Sequence, residues 1–254
     1  MNKIDQWIQS DTNSVILLYV NVRNLSDDFF YQSAQQFSPP EIQRLGGETK
    51  DSLSAREHFA GRAIVRKLAI RVTGNLYGSE TITTKCQWCG CKLGRPRLEP
   101  QIFSFSIAHS QGLVVVAAAF QGEIGVDVEK HLTEVSQNTV MQWAMTEKEL
   151  CYARQVSEDR LPEYLANIWA LKESALKLVG RGLSISPATI DTTCSPIYLE
   201  LPGSKSTRSA VFMKTVSVAD GFSAALSYTL AMDESPILLD AGDWLAKTDE
   251  RYEE

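Results

Sequence analysis

The chain has 254 residues, is 44% hydrophobic and 22% charged, and carries a net charge of −6 and five cysteines. That length holds one large domain or two modest ones and buries a substantial core without disulfides. The charge leaves no global basic field for nucleic acid or an anionic membrane, the odd cysteine count is not a secreted disulfide framework, and no apolar run approaches a membrane span.

Asp5 and Asp11 interrupt the N-terminus, and the apolar run Val15–Val20 is too short and too late for a signal sequence. The reading is a soluble cytoplasmic protein. β-branched and aromatic residues predict a strand over 14–22. Ser38-Pro39-Pro40 breaks the chain and opens a helix. A longer helix is expected from Ser54 to Thr73, with Ser54 and Glu57 at capping-box spacing, Ala60, Ile64 and Leu68 at helical spacing, and Gly74 as its stop.

Residues 78–101 read as turns and short strands. Strands over 103–107 and 113–120 flank the turn Gln111-Gly112, and a strand over 124–129 follows Gln121-Gly122. Thr146 and Glu149 form a second capping-box pair. A strong helix over 163–179 ends at Gly180 and Gly182, strands follow at about 197–201, 209–218 and 222–230, and the tail from Ser235 reads as an amphipathic helix with a frayed end over 248–254.

A faint repeat runs through this order. Phe59-Ala60-Gly61-Arg62 with Lys67-Leu68 has the spacing of Trp169-Ala170-Leu171-Lys172 with Lys177-Leu178, and each helix is followed by a Gly-led strand, Gly112-Leu113-Val114 or Gly221-Phe222-Ser223. The expected fold is α+β, a pseudo-twofold duplication of two similar α/β subdomains with the site at their interface. An N-terminal subdomain spans 1–121 and a C-terminal one 122–254.

The chemistry concentrates in three stretches, Phe105–Ser110, Gly125-Val126-Asp127-Val128-Glu129 and Trp169–Lys177. Strand alternation puts Asp127 and Glu129 on one face, with Val126 and Val128 opposite. Glu173 and Lys177 lie one turn apart on a helix. Three gathered carboxylates repel one another unless a hard cation joins them, and Mg²⁺ takes a few carboxylates together with water and substrate phosphates. Each motif alone also fits a solvated pair on the surface.

Gly-Val-Asp-Val-Glu followed by Trp-x-x-Lys-Glu-x-x-x-Lys resembles the signature pair of the 4′-phosphopantetheinyl transferases. Phe105–Ser110, Gly94-Arg95-Pro96 and Glu57–Arg62 resemble further motifs of that family in the same order, over residues of about 55–180. The resemblance is to the larger, monomeric Sfp type, built as two α+β halves with coenzyme A and Mg²⁺ between them. It implies transfer of the 4′-phosphopantetheine arm from coenzyme A to a serine of an apo acyl or peptidyl carrier protein, leaving adenosine 3′,5′-bisphosphate.

By the same resemblance Asp127, Glu129 and Glu173 hold Mg²⁺ (or Mn²⁺) on the pyrophosphate. Glu173 helps deprotonate the carrier serine, directly or through a metal-bound water. Lys177 stabilises charge on the transferred phosphate or leaving group, Lys172 contacts phosphate, and His109, Arg62 and Arg95 face the 3′-phosphate end. Ala108 and Ser106 depart from the serine and asparagine usual there, which puts a hydroxyl contact to coenzyme A in doubt.

The basic stripe Lys50, Arg56, Arg62, Arg66, Lys67 and Arg71 reads as a solvated face or as an attractor for coenzyme A phosphates and an acidic carrier. His58 and His131 read as polar surface residues. Leu132, Val135, Val140, Met141 and Trp143 read as core or as a docking surface for the carrier. Cys86-x-x-Cys89-x-Cys91 reads first as a turn of reduced thiols, with zinc as the lesser reading because no fourth ligand is evident. Two rival functions remain at this level: a Mg²⁺-dependent phosphohydrolase acting on a nucleotide, and a module that binds coenzyme A without chemistry.

Overall fold

A computed structural model describes residues 3–10, 14–35, 52–74, 81–91, 94–203, 208–231 and 235–246. The helix expected after Pro40, Lys50 of the basic stripe and the tail over 248–254 lie outside the described residues.

The first half begins with α1 (Lys3–Ile8), β1 (Val15–Asn21) and α2 (Asp27–Gln35). The long α3 (Leu53–Thr73), a short hairpin of β2 (Thr81–Thr83) and β3 (Arg97–Glu99), then β4 (Ser104–Ser110) and β5 (Leu113–Ala119) follow. The second half runs β6 (Ile124–Lys130), α4 (Glu134–Trp143), α5 (Glu147–Ala153), the long α6 (Leu161–Val179), β7 (Ile197–Glu200), β8 (Arg208–Val216) and β9 (Phe222–Tyr228). A last strand, β10 (Ile237–Asp240), and α7 (Gly242–Ala246) close the described chain.

The two halves are wound alike. Strand order is β10-β1-β5-β4 in one sheet and β6-β9-β8-β7 in the other. In each, the first strand of the half lies beside the last, the last lies beside the one before it, and a long helix follows the first strand. The Gly-led strands of the repeat are β5 and β9, entered through Gly112 and Gly221 at φ 97° and 75°, a backbone region that favours glycine.

Periodicity explains the layers. Val114, Val116 and Ala118 of β5 face α3 in a cluster with Phe59, Ile64 and Leu68. Val115 and Ala117 face the other way, into a cluster with Val126 and Val128 of β6 and Leu226 of β9. Leu176 and Val179 of α6 cover the far side of the second sheet with Ile197 and Val211. The order is therefore helix, sheet, sheet, helix, and β5 is buried on both faces.

The tail departs from the sequence reading in part: a helix forms only at Gly242–Ala246, after a strand. Residues 237–240 form a strand, not a helix, and β10 pairs in parallel with β1 of the first sheet. Ile237, Leu238 and Leu239 run on as a β-branched and apolar stretch whose strand partner lies more than 200 residues away, so no local pattern reveals it. The capping box at Ser54 is also absent: the N-cap is Ser52, which accepts from Ala55 N. Glu57 is thereby released for another task. The Thr146/Glu149 capping box is present, with Thr146 accepting from Glu149 N and Glu149 from Thr146 N.

The basic stripe of α3 is largely spent inside the molecule. Arg56 pairs with Asp27 at 2.7 Å, Arg71 with Asp5, Arg62 donates to His58 Nε2 at 2.8 Å, and Lys67 donates to Trp244 O. His58 is thus a partner for a buried arginine, and the stripe offers no open anion-attracting face over these residues.

Candidate active site between the two halves

β6 carries its odd-numbered residues toward α6. A Cβ on Gly125 would lie 2.0 Å from Ser174 O and 2.8 Å from Leu178 N, so only glycine lets strand and helix approach this closely. Gly125→Ala is expected to destabilise the protein and to disturb the site together; a Gly125→Ala protein with unchanged melting temperature and unchanged ligand affinity would contradict this.

That approach sets Asp127 and Glu129 opposite Glu173 and Lys177. Asp127 is 4% exposed, and its Oδ1 accepts from Lys177 Nζ at 2.6 Å. Its buried Oδ2 has no hydrogen-bond partner. Glu129 accepts from Trp169 Nε1 at 3.1 Å and from Ser110 Oγ at 3.4 Å. Trp169 and Ser110, from α6 and β4, thus fix the carboxylate from both sides.

Burial and the neighbouring charge of Asp127 push the Glu129 carboxyl up to about 7. The same two causes raise Glu173. An acid whose pKa is higher folded than unfolded binds more protons in the native state, so stability is lost as pH rises between the two values. In chelating buffer the melting temperature is expected to fall as pH rises from about 4.5 to about 7, the window of Glu129. Glu129→Gln should flatten that dependence; an unaltered slope would contradict the assignment.

Two cavities flank the cluster. One, of about 550 Å³, is lined by Lys177, Arg181, Ser106 and Ile107 and by the cysteine turn. The other, of about 720 Å³, is lined by Glu129, Trp169, Val135, Val140, Trp143 and Leu183. Arg181 carries no motif in the sequence reading; its signal is only its position just past the Gly180 stop of α6. Of the apolar run after β6, Val140 is core, whereas Val135 and Trp143 are 78% and 73% exposed.

The comparisons with known proteins bear on this cluster. Residues 123–221 match the model of the 4′-phosphopantetheinyl transferase superfamily. Over that segment the chain is similar to this superfamily. The match contains Asp127, Glu129, Glu173 and Lys177 together.

Among similar proteins, an L-aminoadipate-semialdehyde dehydrogenase-phosphopantetheinyl transferase from Xenopus laevis is 28% identical over 66% of this chain and 57% of its own length. The Mus musculus protein of the same description is 24% identical over 74% of this chain and 60% of its own length. The 4′-phosphopantetheinyl transferase Sfp of Bacillus subtilis is 28% identical over 48% of this chain and 53% of its own length. The chain thus spans little more than half the length of these relatives. A crystal structure of a holo-(acyl-carrier-protein) synthase from Bacillus anthracis in complex with CoA (3′,5′-ADP) aligns at TM-score 0.33 and 27% identity, over 42% of this chain and 93% of that one.

The expected ligand residues separate into two groups. Asp127, Glu129, Glu173 and Lys177 lie near one another: Lys177 pairs with Asp127, and the charge of Asp127 acts on Glu129 and on Glu173. The three carboxylates lie apart: among the described residues, no set that includes them brings ligand atoms within 4.8 Å. His109 lines neither of the two cavities; its side chain is 44% exposed, and its Nδ1 meets Glu57 Oε2 at 2.9 Å.

Glu57 is the residue that sequence reasoning assigned to the wrong task. It is buried, and its other oxygen accepts from Gly112 N. Burial opposes its ionisation, but His109 and the Gly112 N–H outweigh burial and hold the carboxyl below the ordinary value. A carboxylate fixed on Nδ1 leaves Nε2 of His109 as the outward nitrogen.

Three expected phosphate contacts are corrected. Lys172 is wholly buried and pairs with buried Glu149 at 2.8 Å, donating also to Pro187 O and Ile190 O. It lies on the apolar stripe of α6 with Leu165, Ile168, Ala175 and Val179, so it points away from the cluster. Arg95 lines the cavity, but its Nη atoms donate to Glu123, Ser104, Phe105 O, Ile124 O and Leu178 O. It staples β4, β6 and the end of α6 together, and burial lowers its guanidinium to about 10. Arg62 is 4% exposed and bound to His58, within the helix packing.

The departures at β4 have separate consequences. Ala108 is buried in the apolar layer with Val126 and Val128, away from both cavities. Ser106 lines the cavity shared with Lys177.

Proposed function

We propose that the protein is an Sfp-type 4′-phosphopantetheinyl transferase, with coenzyme A as donor and a serine of an apo acyl or peptidyl carrier protein as acceptor. The observation that carries this reading is the buried, partnerless Oδ2 of Asp127, a carboxylate whose charge acts on both Glu129 and Glu173 and whose other oxygen accepts from Lys177 at 2.6 Å. A buried carboxylate with an unpaired oxygen, set beside two half-buried carboxylates, fits a hard divalent cation. Asp127, Glu129 and Glu173 would hold Mg²⁺ or Mn²⁺, which when bound neutralises the pyrophosphate and polarises the phosphoryl group.

The remaining steps belong to the chain's own groups. Lys177 binds the transferred phosphate and the departing one. Glu173, whose proton affinity burial and Asp127 have raised, takes the proton of the carrier serine. His109, oriented by Glu57, binds the nucleotide phosphate through Nε2, and Arg181 adds a second cation at the first cavity. The apolar cavity on the Glu129 side, with exposed Val135 and Trp143, receives the carrier helix.

Residues 1–121 serve in this reading as the nucleotide side and 122–254 as the metal side, except that β10 and α7 return to pack on the first sheet. The same reading takes the enzyme to be a monomer in the cytoplasm, where its five cysteines would remain reduced; every cysteine is free. No described helix is long and apolar enough to cross a membrane.

The test is incubation with coenzyme A, Mg²⁺ and a panel of apo carriers, following adenosine 3′,5′-bisphosphate. Carrier-dependent release supports transfer. Release of phosphate without a carrier would instead support the phosphohydrolase, and binding with no turnover on any carrier would support the non-catalytic module. Within the transferase reading, Glu57→Gln is expected to raise KM for coenzyme A about tenfold with little change in kcat, the scale of losing a group that orients a ligand-binding imidazole. An unchanged KM would remove Glu57 from the site.

A further inference from the structure

Outside the acidic cluster, the molecule holds one unassigned group of soft ligands. Cys86, Cys89 and Cys91 place their sulfurs within 4.8 Å of one another, and they are the only His, Cys, Asp or Glu triple among the described residues to converge this closely. All three are free thiols, Cys86 half-buried and the other two exposed.

The turn that carries them is tightly built. Cys86 N donates to Cys91 O at 2.7 Å, Gly90 N donates to Cys86 O at 2.9 Å, and Gly90 sits at φ 75°.

Contacts outside the turn fix its position. A Cβ on Gly94 would lie 2.4 Å from Cys86 Cα, and Gly94 N donates to Thr84 O at 2.7 Å. Trp88 Nε1 donates to Val179 O at 2.9 Å, and the Arg181 guanidinium stands 5.2 Å from the Trp88 ring. The three sulfurs are therefore held together by backbone and packing, with no ion needed to gather them.

We infer that Cys86, Cys89 and Cys91 form a binding site for a thiophilic divalent ion of the Zn²⁺ class, with three sulfur ligands and a fourth position taken by water. Thiolates select Zn²⁺ over Mg²⁺, which prefers oxygen, so this site and the acidic cluster draw different metals. Among the described residues no fourth His, Cys, Asp or Glu joins the three, which leaves the tetrahedral site open on one side. The turn forms one wall of the 550 Å³ cavity that reaches Lys177. A bound ion there stiffens the wall without entering the chemistry of the acidic cluster.

The test reads sulfur, independently of any transferase activity. The full chain, reduced and freed of metal, is titrated with Co²⁺. The expected result is saturation at one ion per chain, with a sulfur-to-cobalt charge-transfer band and intense visible absorption of a tetrahedral site, both lost on adding Zn²⁺. Native-state alkylation read by peptide mass is expected to modify only Cys151 and Cys194 in the Zn²⁺-loaded protein and all five cysteines after chelation. Cys89→Ser should abolish the charge-transfer band. Absence of that band in the unmodified chain, or equal alkylation of all five cysteines with and without Zn²⁺, would overturn the inference. Isolation of the turn as a disulfide under the same reducing conditions would overturn it as well.

Discussion

Asp127→Ala is expected to lower carrier modification by about a thousandfold or more, on the order of 4 kcal/mol of barrier, while leaving the fold intact. The carboxylate does three things at once. It fixes Lys177 Nζ, it presents an unpaired oxygen to the cation position, and its charge raises both Glu129 and Glu173. Removal therefore releases the lysine, takes away a metal ligand and makes the general base weaker.

The effect on stability should be small. Loss of the Lys177 pair destabilises, but loss of repulsion with two neighbouring carboxylates offsets it. The melting temperature in chelating buffer is expected to move by no more than about 4 °C, near 1 kcal/mol. Glu173→Ala should show the same division between activity and fold. Lys177→Ala should cost several kcal/mol of barrier at most, since one charge stabiliser is lost while the carboxylates remain. Retained transfer by Asp127→Ala, or its collapse as a folded protein, would contradict these assignments.

Lys172→Ala is expected to act in the opposite sense. It strands Glu149 as a buried charge and should destabilise by about 3–5 kcal/mol, lowering the melting temperature by on the order of 10 °C. Glu149 also accepts from Thr146 N and from Thr192 N and Oγ1, so its position is held after the lysine is gone. Replacing both charges, Lys172→Met with Glu149→Gln, should recover much of the loss. The affinity of the folded fraction for coenzyme A is expected to stay unchanged in both variants. A rise in KM for coenzyme A at constant melting temperature would return Lys172 to the phosphate site.

The two lysines of α6 show where the sequence was legible and where it was not. Lys177 is one helical turn from Glu173, and β6 alternates Val126 and Val128 inward with Asp127 and Glu129 toward the helix. Local periodicity forms the two pairs, and the close packing of β6 on α6 at Gly125 brings them together. Lys172 sits on the stripe of Leu165, Ile168, Ala175 and Val179, so the same periodicity already marked it as buried. The family motif drew attention to its charge instead. Arg62 tells the same story on α3, where Ala55, Phe59, Val65 and Ala69 are buried around it.

Other features depend on partners distant in sequence. Glu57 has capping-box spacing from Ser54, yet the helix starts at Leu53 and Glu57 reaches across to His109 and Gly112, more than 50 residues away. Arg95 lies in a Gly-Arg-Pro step with no local partner, and its five acceptors come from β4, Glu123 just before β6, β6 itself and the end of α6. β10 is a short apolar run whose pairing with β1 closes the chain back on its first sheet. The duplicated winding was legible only faintly, through two similar helices and two Gly-led strands. The cysteine turn was legible as a motif, but convergence of its sulfurs needed the fold.

The most direct measurement is the intact mass of apo carrier proteins after incubation with this protein, coenzyme A and Mg²⁺. The account predicts the mass of one added phosphopantetheine on at least one carrier, lost when the carrier's acceptor serine is replaced by alanine and lost with Asp127→Ala. An unchanged mass on every carrier of a broad panel drawn from fatty-acid, polyketide and peptide-synthetase systems would contradict it.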